Sequence, residues 1–224
     1  MVQNVCETYQ DAPEQQAQGG HVISVDEKTG IQALERTNPT LPMQPGVPER
    51  REFEYERHGT LCLTANFDVA TGLILRPTLQ PTRTEADFVA HIAQTVASDP
   101  DAPWIFVCDH LNTHQSASLV EWIDQQCRLE TDLGVKGKSG ILHSMESRAA
   151  FLADPTHRIR FVYTPKHCSW LNQVEIWFSI LVRRLLQRSS FQSLDQLRQG
   201  ILDFIDYFNL TLAKPFRWTF LGFS

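Results

Sequence analysis

Residues 158–186 read RIRFVYTPKHCSWLNQVEIWFSILVRRLL and contain the change of periodicity that decides the fold. The first eight residues alternate and then reach Pro165, which predicts a strand that ends there. A helical spacing follows, with one acid, Glu175, at its start. The apolar stripe of that predicted helix consists of Val174, Trp177, Phe178, Leu181, Val182 and Leu185.

Two earlier segments end in carboxylates in the same way. HVISVD predicts a short buried strand that ends at Asp26, and PWIFVCD is an apolar run that ends at Asp109, typical of a central strand covered on both faces. Strand ends in α/β proteins are rigid and open, so they commonly carry the chemistry. Three carboxylates gathered there would repel one another without a cation, and oxygen ligands favour Mg²⁺ or Mn²⁺.

Each acid also fits a simpler interpretation. Asp26 precedes EKTG and is a reasonable turn residue, and Asp109 could cap the helix that follows it. Asn172 and Glu175 have the spacing of an N-cap and its capping box. Taken singly, none of the three acids decides between a structural and a catalytic role.

The rest of the chain predicts further strands and helices around these three segments. The order β-β-β-α-β-α-β-α-α is typical of a single α/β domain with a mixed sheet. We predict a hairpin over 59–78 with its turn at DVATG, a helix over 84–98 capped by Thr84 and Asp87, a helix over 113–127, a short helix within 130–157, and a last helix from Ser193.

Three segments carry no strong periodicity. Residues 1–20 are polar and predict a flexible lead-in, and residues 30–58 are rich in proline and charge and predict irregular structure. We therefore place the folded domain at 21–212 and a C-terminal tail at 213–224.

Composition indicates a globular protein with an uneven distribution of charge. The net charge is −6, but residues 136–198 carry ten Lys and Arg against four Asp and Glu, which leaves ten against twenty-two elsewhere. Such asymmetry indicates a phosphate-facing surface or a solvated basic face. The absence of a secretory signal or a spanning apolar run predicts a cytoplasmic location without membrane contact, and five scattered cysteines predict free thiols.

Several segments together resemble one protein family. DEKTGIQALER, EFEYERHGTLCLTANFDVATG, WIFVCDHLNTHQS and GVKGKSGI, with residues 158–186, are similar to the catalytic domain of the IS630 group of bacterial insertion-sequence transposases. That group is related to the Tc1/mariner transposases within the DDE superfamily. The similarity extends from about residue 21 to the C-terminus.

The resemblance implies an RNase H-like fold, a five-stranded mixed sheet flanked by helices. It also implies that Asp26, Asp109 and Glu175 are the catalytic triad and bind two Mg²⁺ (or Mn²⁺) ions for phosphoryl transfer. Asn112 and His114 match the polar motif after the second Asp, which implies support of the metal site or contact with phosphate. His114 could equally begin the next helix.

The resemblance further implies DNA as the partner. We expect Lys166, Arg183, Arg184 and Arg188 to contact DNA phosphates of the transposon ends and of a TA target, with a homodimer in the active complex. Two features depart from the family: His110 stands where Asn is usual, and no helix-turn-helix precedes His21. A separate DNA-binding half, an inert transposase remnant, and a nuclease that cuts without joining all remain open.

Overall fold

The computed structural model, which describes residues 1–38, 41–50 and 54–220, contains one five-stranded mixed sheet in the order β3-β2-β1-β4-β5. β1 pairs antiparallel with β2 and β2 with β3, whereas β1, β4 and β5 run parallel. The strands are β1 (His21–Arg36), β2 (Tyr55–Asp68), β3 (Ile74–Gln80), β4 (Trp104–Cys108) and β5 (Ile159–Tyr163).

Helices cover both faces of this sheet. α1, α5 and α6 pack on one face through a core that includes Val5, Trp177 and Ile201. α2, α3 and α4 pack on the other, around Phe106 and Phe161. The helices are α1 (Val2–Ala17), α2 (Glu85–Val96), α3 (Ala117–Cys127), α4 (Met145–Leu152), α5 (Gln173–Leu181) and α6 (Leu194–Thr211). The predicted α/β architecture with a mixed sheet is confirmed.

Local sequence signals account for several of these elements. The hairpin turns over the predicted DVATG segment, between β2 and β3. Thr84 and Asp87 form the predicted capping box of α2, and the Ser193 side chain caps α6 by accepting from the Gln196 N–H. In each case a short polar side chain satisfies a backbone donor that the first helical turn leaves free.

Two predictions about the N-terminal part are wrong. The lead-in over 1–20 is not loose, because most of it is α1, whose Val5, Cys6, Tyr9 and Ala12 are buried in the core. β1 does not end at Asp26 but continues to Arg36, so part of the segment predicted as irregular over 30–58 is strand. The register of β1 shifts beyond Lys28, where Gly30 takes the left-handed φ of 66° that glycine tolerates best.

The start of α5 also differs from the prediction. Asn172 occupies the N-cap position, but its side chain makes no capping hydrogen bond, so the capping box with Glu175 is wrong. Ser24 on β1 supplies the missing acceptor, because its Oγ receives the Val174 N–H at 2.9 Å. After α5 the helix continues as a π-helical turn, Val182–Leu186.

The five cysteines are free thiols, as predicted. Of the helices in the described part of the chain, none combines the length and the apolar character needed to span a bilayer.

Candidate active site

The two aspartates lie side by side at neighbouring strands of the sheet. In the parallel pairing of β1 with β4, Ser24 is in register with Val107. Asp26 and Asp109 each follow two residues later along their own strand, so the topology brings them to the same place. Asp109 comes directly after β4, as predicted, whereas Asp26 lies within β1.

The environment of Asp26 disfavours its charge. Burial, followed by the nearby negative charge of Asp109, raises the pKa of Asp26 to about 7. Its Oδ1 accepts the Glu27 N–H at 2.7 Å, and the positive charge of His114 also opposes the rise. Two carboxylates that oppose each other in a partly buried place form a site that a cation would stabilise. The donor set of this pair therefore fits a hard divalent metal ion.

Asn172 joins Asp26 to the start of α5. Its Nδ2 donates to Asp26 Oδ2 at 3.1 Å and to the Val25 carbonyl at 3.0 Å, while its Oδ1 accepts from the Ser24 hydroxyl. These bonds are buried and fix the N-terminus of α5 against β1. Glu175 consequently lies in the first turn of a helix that is anchored beside Asp26.

Glu175 faces a neighbouring cleft. It lines a space of about 480 Å³ together with Lys28 and Arg183. Lys28 follows Asp26 by two residues on β1, and its Nζ lies 5.9 Å from the centroid of the Phe178 ring. The structure thus brings Asp26 and Asp109 together and places Glu175 in the adjoining cleft.

The three predicted acids do not form a tight cluster. Within the described ranges, the one group of three or more candidate ligands whose atoms all lie within 4.8 Å of one another is Glu35, Glu56 and His58. That group lies near the far ends of β1 and β2, and sequence reasoning did not single it out. Its Glu35 is already engaged, with His58 at 2.8 Å and Gln192 at 2.9 Å.

A buried histidine stands behind Asp109. His114 Nδ1 lies 2.8 Å from Asp109 Oδ1, and His114 Nε2 lies 3.0 Å from Glu27 Oε2. Burial lowers the pKa of His114, but hydrogen bonds to Asp109, Cys108 and Glu27 outweigh it and raise that pKa well above its ordinary value. Burial raises the pKa of Asp109, yet His114 more than compensates and lowers it. His114 therefore lies between the carboxyl groups of Asp109 and Glu27, and its hydrogen bonds favour the protonated form of the ring.

This arrangement resolves part of the ambiguity over the polar motif. The His114 side chain is 0% exposed, which excludes contact with a DNA phosphate. It belongs to the 3₁₀ turn Asn112–Gln115, whereas Ser116 caps α3. Asn112 is exposed at the start of that turn. Glu27 was missed by sequence reasoning, because a strand that ends at Asp26 hides the fact that the next residue points to the opposite face.

His110 lies beside this site but is held by other groups. Its Nδ1 accepts from Gln115 Nε2 at 2.6 Å, and its ring stacks on Tyr163 with centroids 4.9 Å apart. Burial lowers the pKa of His110, and the positive charge of Lys166 lowers it further, although Asp109 acts in the opposite direction. Lys166 itself is exposed in the loop after β5.

The predicted arginines line a basic cleft. Arg183, Arg184 and Arg188 surround a space of about 830 Å³ with Lys214 and Phe216. All three arginines are exposed, and two of them belong to the π-helical turn after α5. Arg183 lines both this cleft and the one that contains Glu175, so the two clefts adjoin.

Comparisons with known proteins identify a family and a similar fold. The family described as DDE superfamily endonuclease matches residues 21–198. A search of curated protein sequences found no significant match. Among solved structures, the fold is similar to the Mos1 mariner paired end complex with Mn at 12% identity and a TM-score of 0.57, covering 92% of this chain and 54% of that chain.

Two other Mos1 structures are similar to the same extent. The paired-end complex with left transposon end matches at 13% identity and a TM-score of 0.57, covering 97% of this chain and 56% of that one. The pre-cleavage Mos1 transpososome matches at 12% identity and a TM-score of 0.56, covering 95% and 55%. The fold is RNase H-like, as predicted, and the chain spans about half the length of these relatives.

Proposed function

Because the chain belongs to the DDE superfamily of endonucleases, we propose that it is the catalytic domain of an IS630-group transposase, which cleaves DNA strands and transfers them. The observation that carries the proposal is the side-by-side placement of Asp26 and Asp109, with the pKa of Asp26 raised to about 7. The catalytic domain, predicted over 21–212, also includes α1, which packs in the same core, and its triad is Asp26, Asp109 and Glu175.

The metal site is formed by that triad. Asp26 of β1 and Asp109 directly after β4 would hold Mg²⁺ or Mn²⁺, with Glu175 of α5 as a further ligand. When bound, two such ions supply activation of the attacking oxygen and stabilisation of the leaving oxygen in phosphoryl transfer. Support comes from the oxygen-only donors and from the mutual repulsion of the two aspartates, which a cation relieves.

The protein's own contribution is to hold these carboxylates still. Asn172 orients Asp26 through its amide, and Ser24 fixes the first turn of α5 and hence the base of Glu175. The Leu111 N–H donates to Asp109 Oδ1 at 2.9 Å. Pre-organised ligands reduce the reorganisation that binding and reaction require.

The DNA backbone is proposed to follow the two adjoining clefts. Arg183 is common to both, Arg184 and Arg188 continue the positive charge away from Glu175, and Lys166 is exposed in the loop before α5. Contacts of this kind supply affinity and orientation and do not select sequence. The complementarity of these cations to phosphate supports DNA as the partner.

The remaining features of the proposal come from the family. They are transposon ends and a TA target as substrates, a homodimer as the active complex, a cytoplasmic location, and a separate DNA-binding half that recognises the ends.

The test is a cleavage assay on labelled transposon-end DNA with Mg²⁺ or Mn²⁺, with and without a supplied DNA-binding half. The wild-type chain should nick this DNA and form joined products, and Asp109→Asn should do neither. The matched control is Asp99→Asn, which changes an aspartate at the opposite end of β4 and should cleave normally. DNA binding without cleavage under any metal would identify an inert remnant, and nicks without joined products would identify a nuclease.

A further inference from the structure

We propose that Glu27 and His114 are positioning residues for Asp109, which orient its carboxylate toward the metal ion through a buried Glu27–His114–Asp109 chain. The inference rests on the proposed function, because it assigns Asp109 as a metal ligand. It adds Glu27, a residue with no role in the triad, and gives His114 a defined task.

Glu27 and Asp109 hold the His114 imidazole from opposite sides. His114 Nδ1 lies 2.8 Å from Asp109 Oδ1, and Nε2 lies 3.0 Å and 3.2 Å from the two oxygens of Glu27. With a carboxylate at each ring nitrogen, rotation of the ring would break one bond or both. Phe88 packs against the same ring with centroids 4.2 Å apart, which further restricts it.

The bonds to Asp109 fall on one of its oxygens. Oδ1 accepts the Leu111 N–H and lies 2.8 Å from His114 Nδ1, which is also 3.3 Å from the Asp109 backbone carbonyl. Within the described part of the chain, no hydrogen bond reaches Oδ2, and the Asp109 side chain is 40% exposed. One oxygen is therefore held by the protein while the other is open to a cation.

The burial of Glu27 argues against a purely structural role. Its side chain is 2% exposed, and β1 directs it toward the apolar face that contains Phe88 and Phe106. A buried ion pair contributes little or no stability compared with apolar residues of the same size. A buried histidine–carboxyl pair in contact with Asp109 is therefore better explained by what it does to the position of that side chain. Carboxylate–histidine pairs behind a metal site commonly set ligand orientation and basicity.

The first test compares Glu27→Gln with wild-type protein. The amide oxygen of Gln can still accept from His114 Nε2, so the fold should survive while the charge is lost. We expect Mn²⁺ affinity, measured by electron paramagnetic resonance, and the nicking rate to fall by about 10-fold or more. The thermal midpoint of the metal-free chain, followed by circular dichroism, should change by only a few degrees.

The matched control is Asp99→Asn, which weakens the His21–Asp99 pair at the opposite end of the sheet, also 3.0 Å apart. It should leave Mn²⁺ affinity and nicking unchanged. A second variant, His114→Gln, should weaken Mn²⁺ binding as Glu27→Gln does, and the double variant should lose little more than either single one. If the losses of Mn²⁺ affinity in the two single variants add up in the double variant, Glu27 and His114 do not act together on Asp109.

The outcomes separate this inference from the proposed function. If wild-type protein binds Mn²⁺ and nicks DNA, Asp109→Asn does neither, and Glu27→Gln stays within twofold of wild type, the positioning role is wrong and the catalytic assignment stands. If wild-type protein neither binds Mn²⁺ nor nicks DNA with its DNA-binding half present, both are wrong. A loss of Mn²⁺ affinity only in proportion to lost folded protein would also overturn the inference.

Discussion

Two histidine–carboxylate pairs lie beyond opposite ends of β4, one with Asp99 before the strand and one with His114 after it, and they differ in almost everything except distance. His21 and Asp99 are 3.0 Å apart with side chains 24% and 51% exposed. His114 and Glu27 are also 3.0 Å apart but are 0% and 2% exposed. The first pair is a screened surface contact, and the second is a charge pair held away from water next to Asp109. Contact distance alone therefore says little about what an ion pair does.

The largest expected effect comes from breaking the buried pair. His114→Leu removes the positive charge and leaves Glu27 buried without compensation, which should lower the free energy of unfolding by about 3–5 kcal/mol. The matched change, His21→Leu, retains an apolar side chain against Trp104 and should cost about 1 kcal/mol or less. Urea denaturation of both variants at neutral pH measures the difference.

A second variant shows whether the destabilisation by His114→Leu comes from the uncompensated charge of Glu27 or from altered packing. Combining His114→Leu with Glu27→Leu removes both charges and should restore much of the lost stability. Failure of the double variant to recover would mean that packing, and not the uncompensated charge, dominates at this position.

A smaller effect is expected at Asp26, where a substitution should raise the free energy of unfolding instead of lowering it. Its pKa is raised from 3.8 to about 7, so between these values the folded chain binds more protons than the unfolded chain, and stability falls as pH rises. Asp26→Asn should therefore stabilise the metal-free chain by about 2 kcal/mol at pH 8 and much less at pH 4. Denaturation with a chelator at both pH values tests this. Equal stability of the wild-type chain and Asp26→Asn at pH 8 would show that ionisation of Asp26 does not destabilise the fold. The control, Asp99→Asn, should not increase the stability at either pH.

The smallest effect concerns how α1 supports the site. The Tyr9 hydroxyl donates to the Leu171 carbonyl at 2.9 Å, just before Asn172, and it is buried. Tyr9→Phe should lower the free energy of unfolding by about 1 kcal/mol. Tyr207 is exposed, so Tyr207→Phe is the matched control and should be neutral. Equal effects of the two changes in urea denaturation would argue against this contact.

The same comparison explains which parts could be predicted from sequence. Apolar runs and turn signals predicted the strands and most helices, since these patterns are local. The sequence predicts a strand that ends at Asp26, because the polar segment EKTG interrupts the pattern before the buried Ile31 and Ala33 continue the strand. The sequence does not predict α1, because its polar composition hides the four buried apolar residues that pack it on the sheet.

The candidate site was predictable only in part. The positions of Asp26, Asp109 and Glu175 at the ends of predicted strands and at a helix start are visible in the sequence, and the family resemblance added their shared catalytic role. The Glu27–His114 pair joins residues 87 positions apart, and only the parallel register of β1 and β4 brings them together. The role of Asn172 was misjudged because its spacing to Glu175 imitates a capping box, while a tertiary contact with Asp26 takes its side chain.

The central claim, that Asp26, Asp109 and Glu175 hold the metal ions, is tested most directly by anomalous diffraction from crystals of the chain grown with Mn²⁺ and transposon-end DNA. We predict manganese peaks between Asp26 and Asp109, with the Glu175 carboxylate turned toward them from α5. Manganese at the Glu35–Glu56–His58 group, with none between Asp26 and Asp109, would contradict the account.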